Sequence, residues 1–128
     1  MEIKKNIRVG DRIRFVDFVC DMCEKDGKQY YALFDYAWRI AVITFFAPEA
    51  ELDKMDTDEM CDFVYSRQGI EIVEDPDIAV ITAGLYEACE AEMKDRKEKY
   101  MKVFDAINHP DPLDRIADAF AEIAGNLS

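Results

Sequence analysis

Glycine and proline are scarce in this chain, five and four in 128 residues. A many-turned β protein needs both at its reversals, so the scarcity favours long helices. The glycines are also dispersed, which excludes a glycine-rich loop that could cradle a phosphate. Histidine occurs once, at His109, and serine twice, at Ser66 and Ser128. A Ser-His-acid constellation would have to join Ser66 to His109, and no nucleophile-elbow motif surrounds Ser66. Lys and Arg number 16 against 28 Asp and Glu. Phosphate contacts need clustered cations, so direct nucleic-acid binding is not expected. Docking on an anionic membrane surface is disfavoured for the same reason. The most apolar run, residues 30–47, contains Asp35 and Arg39 and fits a buried core helix better than a membrane span. The start, residues 1–9, has basic residues but no apolar stretch of a secretory signal. The four cysteines, Cys20, Cys23, Cys61 and Cys89, are therefore expected to be reduced cytosolic thiols.

What the chain has in excess is acid, and the acid is concentrated. Residues 49–77 carry eleven carboxylates and two basic residues, Lys54 and Arg67. That stretch is net −9 in a protein that is net −12. A concentrated field selects partners, and like charges crowded together cost stability unless something compensates them. Glu49, Glu51, Asp53, Asp56, Asp58, Glu59 and Asp62 are the candidate partner-binding residues, and a basic protein surface is the expected partner. Glu71, Glu74, Asp75 and Asp77 complete the set.

The same acids do not form a calcium loop. An EF-hand needs oxygen ligands at positions 1, 3 and 5, glycine at 6 and glutamate at 12. Counting from Asp56 places Asp58 at 3, but Met60 at 5, Cys61 at 6 and Arg67 at 12. Cys20-Asp-Met-Cys23 is a C-x-x-C on the apolar stripe of a helix, without a second close pair or a βαβ context. These thiols are expected in the core, with no metal, cofactor or catalytic residue implied.

The chain is expected to be a single all-α domain over 1–128, about five helices around a central apolar one. Residues 1–10 form an extended or irregular lead-in. A first helix begins at Asp11 as its cap, carries Ile13, Val16, Cys20 and Cys23 on one stripe, and ends at Asp26-Gly27. The central helix spans 30–47 and stops at Pro48. A loop over 49–56 leads to a third helix capped by Thr57 and running to about 68. Met60, Cys61 and Val64 face the core there, and Gly69 sits just past the end. Residues 70–73 are a connector. Asp75-Pro76 and Asp111-Pro112 each place a capping acid before a proline, starting helices over 76–107 and 113–124. The polar run 94–99 lacks apolar anchors, so the fourth helix should project or bend there.

Seven aromatics crowd residues 30–46: Tyr30, Tyr31, Phe34, Tyr36, Trp38, Phe45 and Phe46. Most belong to the core, and the remainder are a second candidate binding patch. Asp35 and Arg39 are four apart and can pair. The strings Phe15-Val-Asp-Phe-Val19, Ala32-Leu-Phe-Asp-Tyr-Ala-Trp-Arg39, Val42-Ile-Thr-Phe-Phe46 and Asp62-Phe-Val-Tyr65 resemble small uncharacterised proteins of tailed phages and prophages of gram-positive gut bacteria. The resemblance covers about the first half of the chain and contains no motif that carries chemistry. It implies a phage origin more than a mechanism. The leading expectation for the whole chain is a non-enzymatic accessory protein acting by protein–protein contacts, in the cytoplasm of a bacterial host or in the virion, with virion assembly as a candidate process. The alternative is an inhibitor that mimics DNA and occupies the basic groove of a host defence protein, as anti-CRISPR proteins do. An enzyme or metal protein ranks last.

Overall fold

The centre of the fold is a helix with almost no polar face. The computed structural model describes residues 2–108 together with Ile123. Within them, α2 (Phe34–Phe46) buries Phe34, Ala37, Ile40, Ala41, Val42, Ile43 and Phe46. A helix apolar nearly all round must be covered on all sides. α1 (Val9–Cys23), α3 (Thr57–Val64) and α4 (Arg67–Val73) pack on it directly, and α5 (Pro76–Asn108) packs on α1 and α4. α5 also reaches α2 through Tyr86, whose ring meets Phe34 and Trp38 edge-on at 5.0 and 5.2 Å. Among the described residues the fold is all-α but for one very short hairpin, as the helical periodicity implies.

α1 begins at Val9, two residues before the expected cap, and Arg8 at its N-cap makes no side-chain capping bond. Asp11 lies instead in the first turn, where a carboxylate suits the positive helix end, and pairs with Arg14 at 3.1 Å. Phe15, Val19, Cys20 and Cys23 are fully buried. Full burial of a Phe side chain is worth about 1.5–3 kcal/mol, so Phe15 against Trp38 is a major contact between α1 and α2.

Asp26-Gly27 does not end α1. The helix stops at Cys23, and β1 (Glu24–Lys25) pairs antiparallel with β2 (Lys28–Gln29). Asp26 and Gly27 have φ of 53° and 81°, the turn geometry that matches the twist of paired strands. A Cβ at residue 27 would lie 3.0 Å from the Tyr100 ring, so the hairpin tip rests on α5. The hairpin also delays α2. Tyr30 is extended, with its N–H donating to the Cys23 carbonyl at 2.8 Å, and a 3₁₀ turn over Tyr31–Leu33 precedes Phe34.

The expected third helix and its connector are two short helices. α3 ends at Val64 and Ser66 caps α4, its Oγ accepting from the Gly69 N–H at 3.2 Å and donating to the Phe63 carbonyl at 2.6 Å. Gly69 is therefore inside α4, not past the end of α3. A Cβ there would collide with the carbonyl oxygens of Phe63 and Val64. Residues 70–73 are helical because the Ser66 cap starts the turn and Ile72, 3% exposed, anchors it.

The Asp75-Pro76 start forms as expected. Asp75 Oδ1 accepts from the N–H groups of Asp77 and Ile78 at 3.0 and 3.2 Å. α5 then runs unbroken for 33 residues. Ile78, Thr82, Leu85, Cys89 and Met93 form its buried row. Where the apolar row ends, charge takes over. Arg96 donates to Glu92 at 3.0 Å and to Asp21 at 2.8 Å, with Asp17 at 3.4 Å and Glu24 at 3.6 Å. Burial acts to lower the Arg96 pKa, but the hydrogen bonds to Asp21 and Glu92 raise it above its ordinary value. The run 94–99 is thus tied to α1 by one cation and does not simply project. The helix expected over 113–124, its Asp111-Pro112 start and His109 lie outside the described residues, Ile123 apart.

Cys20, Cys23 and Cys89 are buried where α1 meets α5, and the Cys20 thiol donates to the Cys89 carbonyl at 3.6 Å. Burial pushes Cys20 and Cys89 up to about 12 and raises Cys23 as well. Cys61 does not face the core; it is exposed.

Two expected outcomes follow from this packing. Gly69→Ala should lower unfolding stability by about 1–3 kcal/mol through overpacking. Gly84→Ala, where a Cβ meets nothing within 4 Å, should raise it by about 0.5–1 kcal/mol. Urea titration of both variants checks the contrast. Among the thiols, native alkylation read by mass spectrometry should modify Cys61 first and the other three only on unfolding. The folded-state pKa of Cys20 and Cys89 is raised, so the unfolded chain loses its protons first. Their contribution is full below about pH 9 and lost between 9 and about 12.

Candidate protein-interaction site

The acidic segment opens on a strict alternation, Glu49-Ala-Glu-Leu-Asp53. Ala50 and Leu52 are buried at 8% and 4% exposure, while Glu49, Glu51 and Asp53 are exposed. The small apolar residues pin the chain and turn the acids outward. The expected loop is built from two 3₁₀ turns, Pro48–Ala50 and Leu52–Lys54. They join at Glu51, which has left-handed backbone, φ 53° and ψ 48°. That conformation is uncommon for a residue with a Cβ and costs about 1–2 kcal/mol.

α3 continues the acidic face. Its cap is Asp56, one residue before the expected Thr57, with Oδ1 accepting from the Glu59 N–H at 2.8 Å. Asp58 and Glu59 lie in the first turn, where the helix dipole favours them. Asp62 is exposed one turn later. Of the seven candidate acids, Glu51 pairs with Lys54 at 3.2 Å and Glu49 Oε2 accepts from the Glu2 N–H at 3.1 Å. The carboxylates of Asp53, Asp58, Glu59 and Asp62 have no ion pair among the described residues. The later acids are better matched: Glu71 pairs with Arg67 at 3.2 Å, and Asp77 with Lys5 at 2.6 Å.

Beneath the acidic turns lies an apolar cleft of about 270 Å³. Ile40, Ala47 and Leu52 are buried at its floor. Phe18, Met55 and Met60 are half-buried along its sides. Thr44, Glu51 and Asp53 are exposed at its rim. The structure thus brings two of the seven acids to the cleft and leaves the other five on the flanking surface. Met60 packs against the core, as expected from the α3 stripe, and also lines this opening. The cleft residues were not legible as a site. They come from α1, α2, the turns and α3, and the only local hint is two flexible methionines, Met55 and Met60, among carboxylates.

The aromatic patch is mostly consumed by packing. Phe34 and Phe46 are buried, Tyr36, Trp38 and Phe45 are half-buried, and only Tyr30 and Tyr31 are exposed. Asp35 and Arg39 pair at 3.0 Å as expected. The same Asp35 oxygen accepts from the Tyr65 hydroxyl at 3.0 Å, and the Arg39 guanidinium lies 5.2 Å over the Tyr65 ring. This cluster ties the end of α3 to α2. Hydrogen bonding to Asp35 and burial hold the Tyr65 hydroxyl above its usual pKa, burial being the larger cause.

Ser66 is occupied as a helix cap. Among the described residues no group of three or more His, Cys, Asp or Glu is arranged to hold a metal ion, and no helix is long and apolar enough to cross a membrane.

The acids should separate by role under mutation. Asp56→Ala removes a cap and should cost about 0.5–2 kcal/mol. Asp53→Asn and Asp62→Asn should change stability by no more than about 0.5 kcal/mol. Thermal or chemical denaturation of the three variants reads this directly. Compared against protein-family models, curated proteins and solved structures, the chain matches none.

Proposed function

We propose that this protein is a non-enzymatic accessory module of phage type that recognises a basic protein surface through the Glu49–Asp62 face. One observation carries the reading. Seven carboxylates are exposed on two turns and a short helix, with a single ion pair for them among the described residues, that of Glu51 with Lys54. Helix capping accounts for Asp56 and the helix dipole for Asp58 and Glu59. Neither accounts for Glu49, Glu51 and Asp53, which the buried Ala50 and Leu52 turn into solvent. A partner presenting Lys and Arg relieves the remaining repulsion and is steered towards this face. The phage assignment rests on the resemblance of the first half of the chain.

The test is affinity capture from host lysate with the native chain and with a variant carrying Asn or Gln at Asp53, Asp56, Asp58, Glu59 and Asp62. Capture should weaken steeply with salt, since the Debye length falls from about 10 Å at 0.1 M to about 3 Å at 1 M. The variant should associate more slowly and keep its helical circular dichroism. Unchanged, salt-insensitive capture by the variant would show the acids to be a solubility device. Competition by duplex DNA for a captured partner separates a DNA-mimic inhibitor from an assembly factor.

A further inference from the structure

The acidic face has an apolar opening within it, and the two features together specify a kind of partner. We infer that the cleft beneath residues 48–55 receives one large apolar side chain of a partner segment whose flanking Lys or Arg residues meet Glu51 and Asp53. This deepens, and rests on, the reading of the acidic face as a protein-binding site.

Four observations carry it. The cleft, about 270 Å³, is below the roughly 300–1,000 Å³ of small-molecule sites, and suits a single anchoring side chain. Its floor, Ile40, Ala47 and Leu52, is apolar and held by the core, so the opening is preformed. Met55 and Met60 line the sides, and unbranched thioether side chains adjust to the shape of what enters. The rim is acidic, and the charge defines the neighbours of the anchor. Glu51 is already paired with Lys54, but both side chains are largely exposed and such a pair exchanges readily for a cation of the partner. A second copy of this chain is a poor occupant, since it would bring a net charge of −12 to an acidic surface.

The division of labour is physical. Charge brings the segment in and sets its orientation, whereas removal of an apolar side chain from water holds it. An acidic surface without a pocket would bind any polycation. An apolar pocket without the acids would bind any exposed Leu or Phe. The combination selects a basic segment with an apolar residue in its middle.

The experiment is selection of a random peptide library on the immobilised full chain, followed by anisotropy titration of the enriched peptides. The expected consensus has one Leu, Ile, Met or aromatic position flanked on both sides by Lys or Arg. Alanine at that apolar position should weaken binding about tenfold or more. Thr44→Phe fills the cleft from an exposed rim position and should cause a similar loss with an unchanged melting temperature. Asp53→Asn should weaken binding severalfold at low salt and little at high salt. A basic consensus with no apolar position, or full binding by Thr44→Phe, overturns the cleft while leaving the acidic face standing. An apolar consensus without cations overturns both. Absence of any enriched sequence overturns the proposed anchor site.

Discussion

A thirteen-residue helix that is apolar on nearly every side has to be wrapped, and the rest of the described fold follows from that demand. α1 covers one side, with the Phe15 ring against Trp38 and Phe45. The two 3₁₀ turns, α3 and α4 cover another, and α5 closes over α1 and α4. Short helices and turns suit this role because α2 is compact, and its far sides must be reached by a chain that keeps changing direction. At Gly69 the start of α4 comes so close to the end of α3 that a Cβ would collide with the Phe63 and Val64 carbonyl oxygens.

Charge is arranged around this apolar centre in two different ways. Arg96 collects Asp17, Asp21, Glu24 and Glu92 and clamps the polar stretch of α5 to α1 and the hairpin. There the acids are matched, and their work is structural. At Glu49–Asp62 only Glu51 has an ion pair among the described residues. Small apolar residues fix the backbone, the carboxylates point to water, and the surface they form encloses a cleft instead of a packed contact. A protein can sustain such a face because exposed charges repel weakly through water and salt, while the core beneath it supplies the stability.

The parts of the fold that were legible from residues are those set by local chemistry. The helical period, the Asp75-Pro76 start, the Asp35–Arg39 pair and the burial of Cys20 and Cys23 depend on neighbours within a few positions. The misplaced boundaries fall where two local signals compete and packing decides between them. Asp26-Gly27 is both a helix stop and a hairpin turn, and the hairpin prevailed because its tip packs on Tyr100. Gly69 is both a helix end and a close-approach residue, and the Ser66 cap decided for the second. Cys61 left the core because α3 is only eight residues long and buries little beyond Val64.

By itself, the sequence determined an all-α chain around one apolar helix and a concentrated acidic face, because period, capping and charge are properties of adjacent residues. It also marked all seven exposed acids as candidates. Only the tertiary structure decided which of them serve the fold and which border an opening. Asp56 became a cap, while Glu51 and Asp53 came to rim a cleft whose floor and walls are drawn from four separate segments. Side chains as far apart in sequence as Phe18 and Met60 meet there only after α2 has been wrapped, and no local pattern records that meeting.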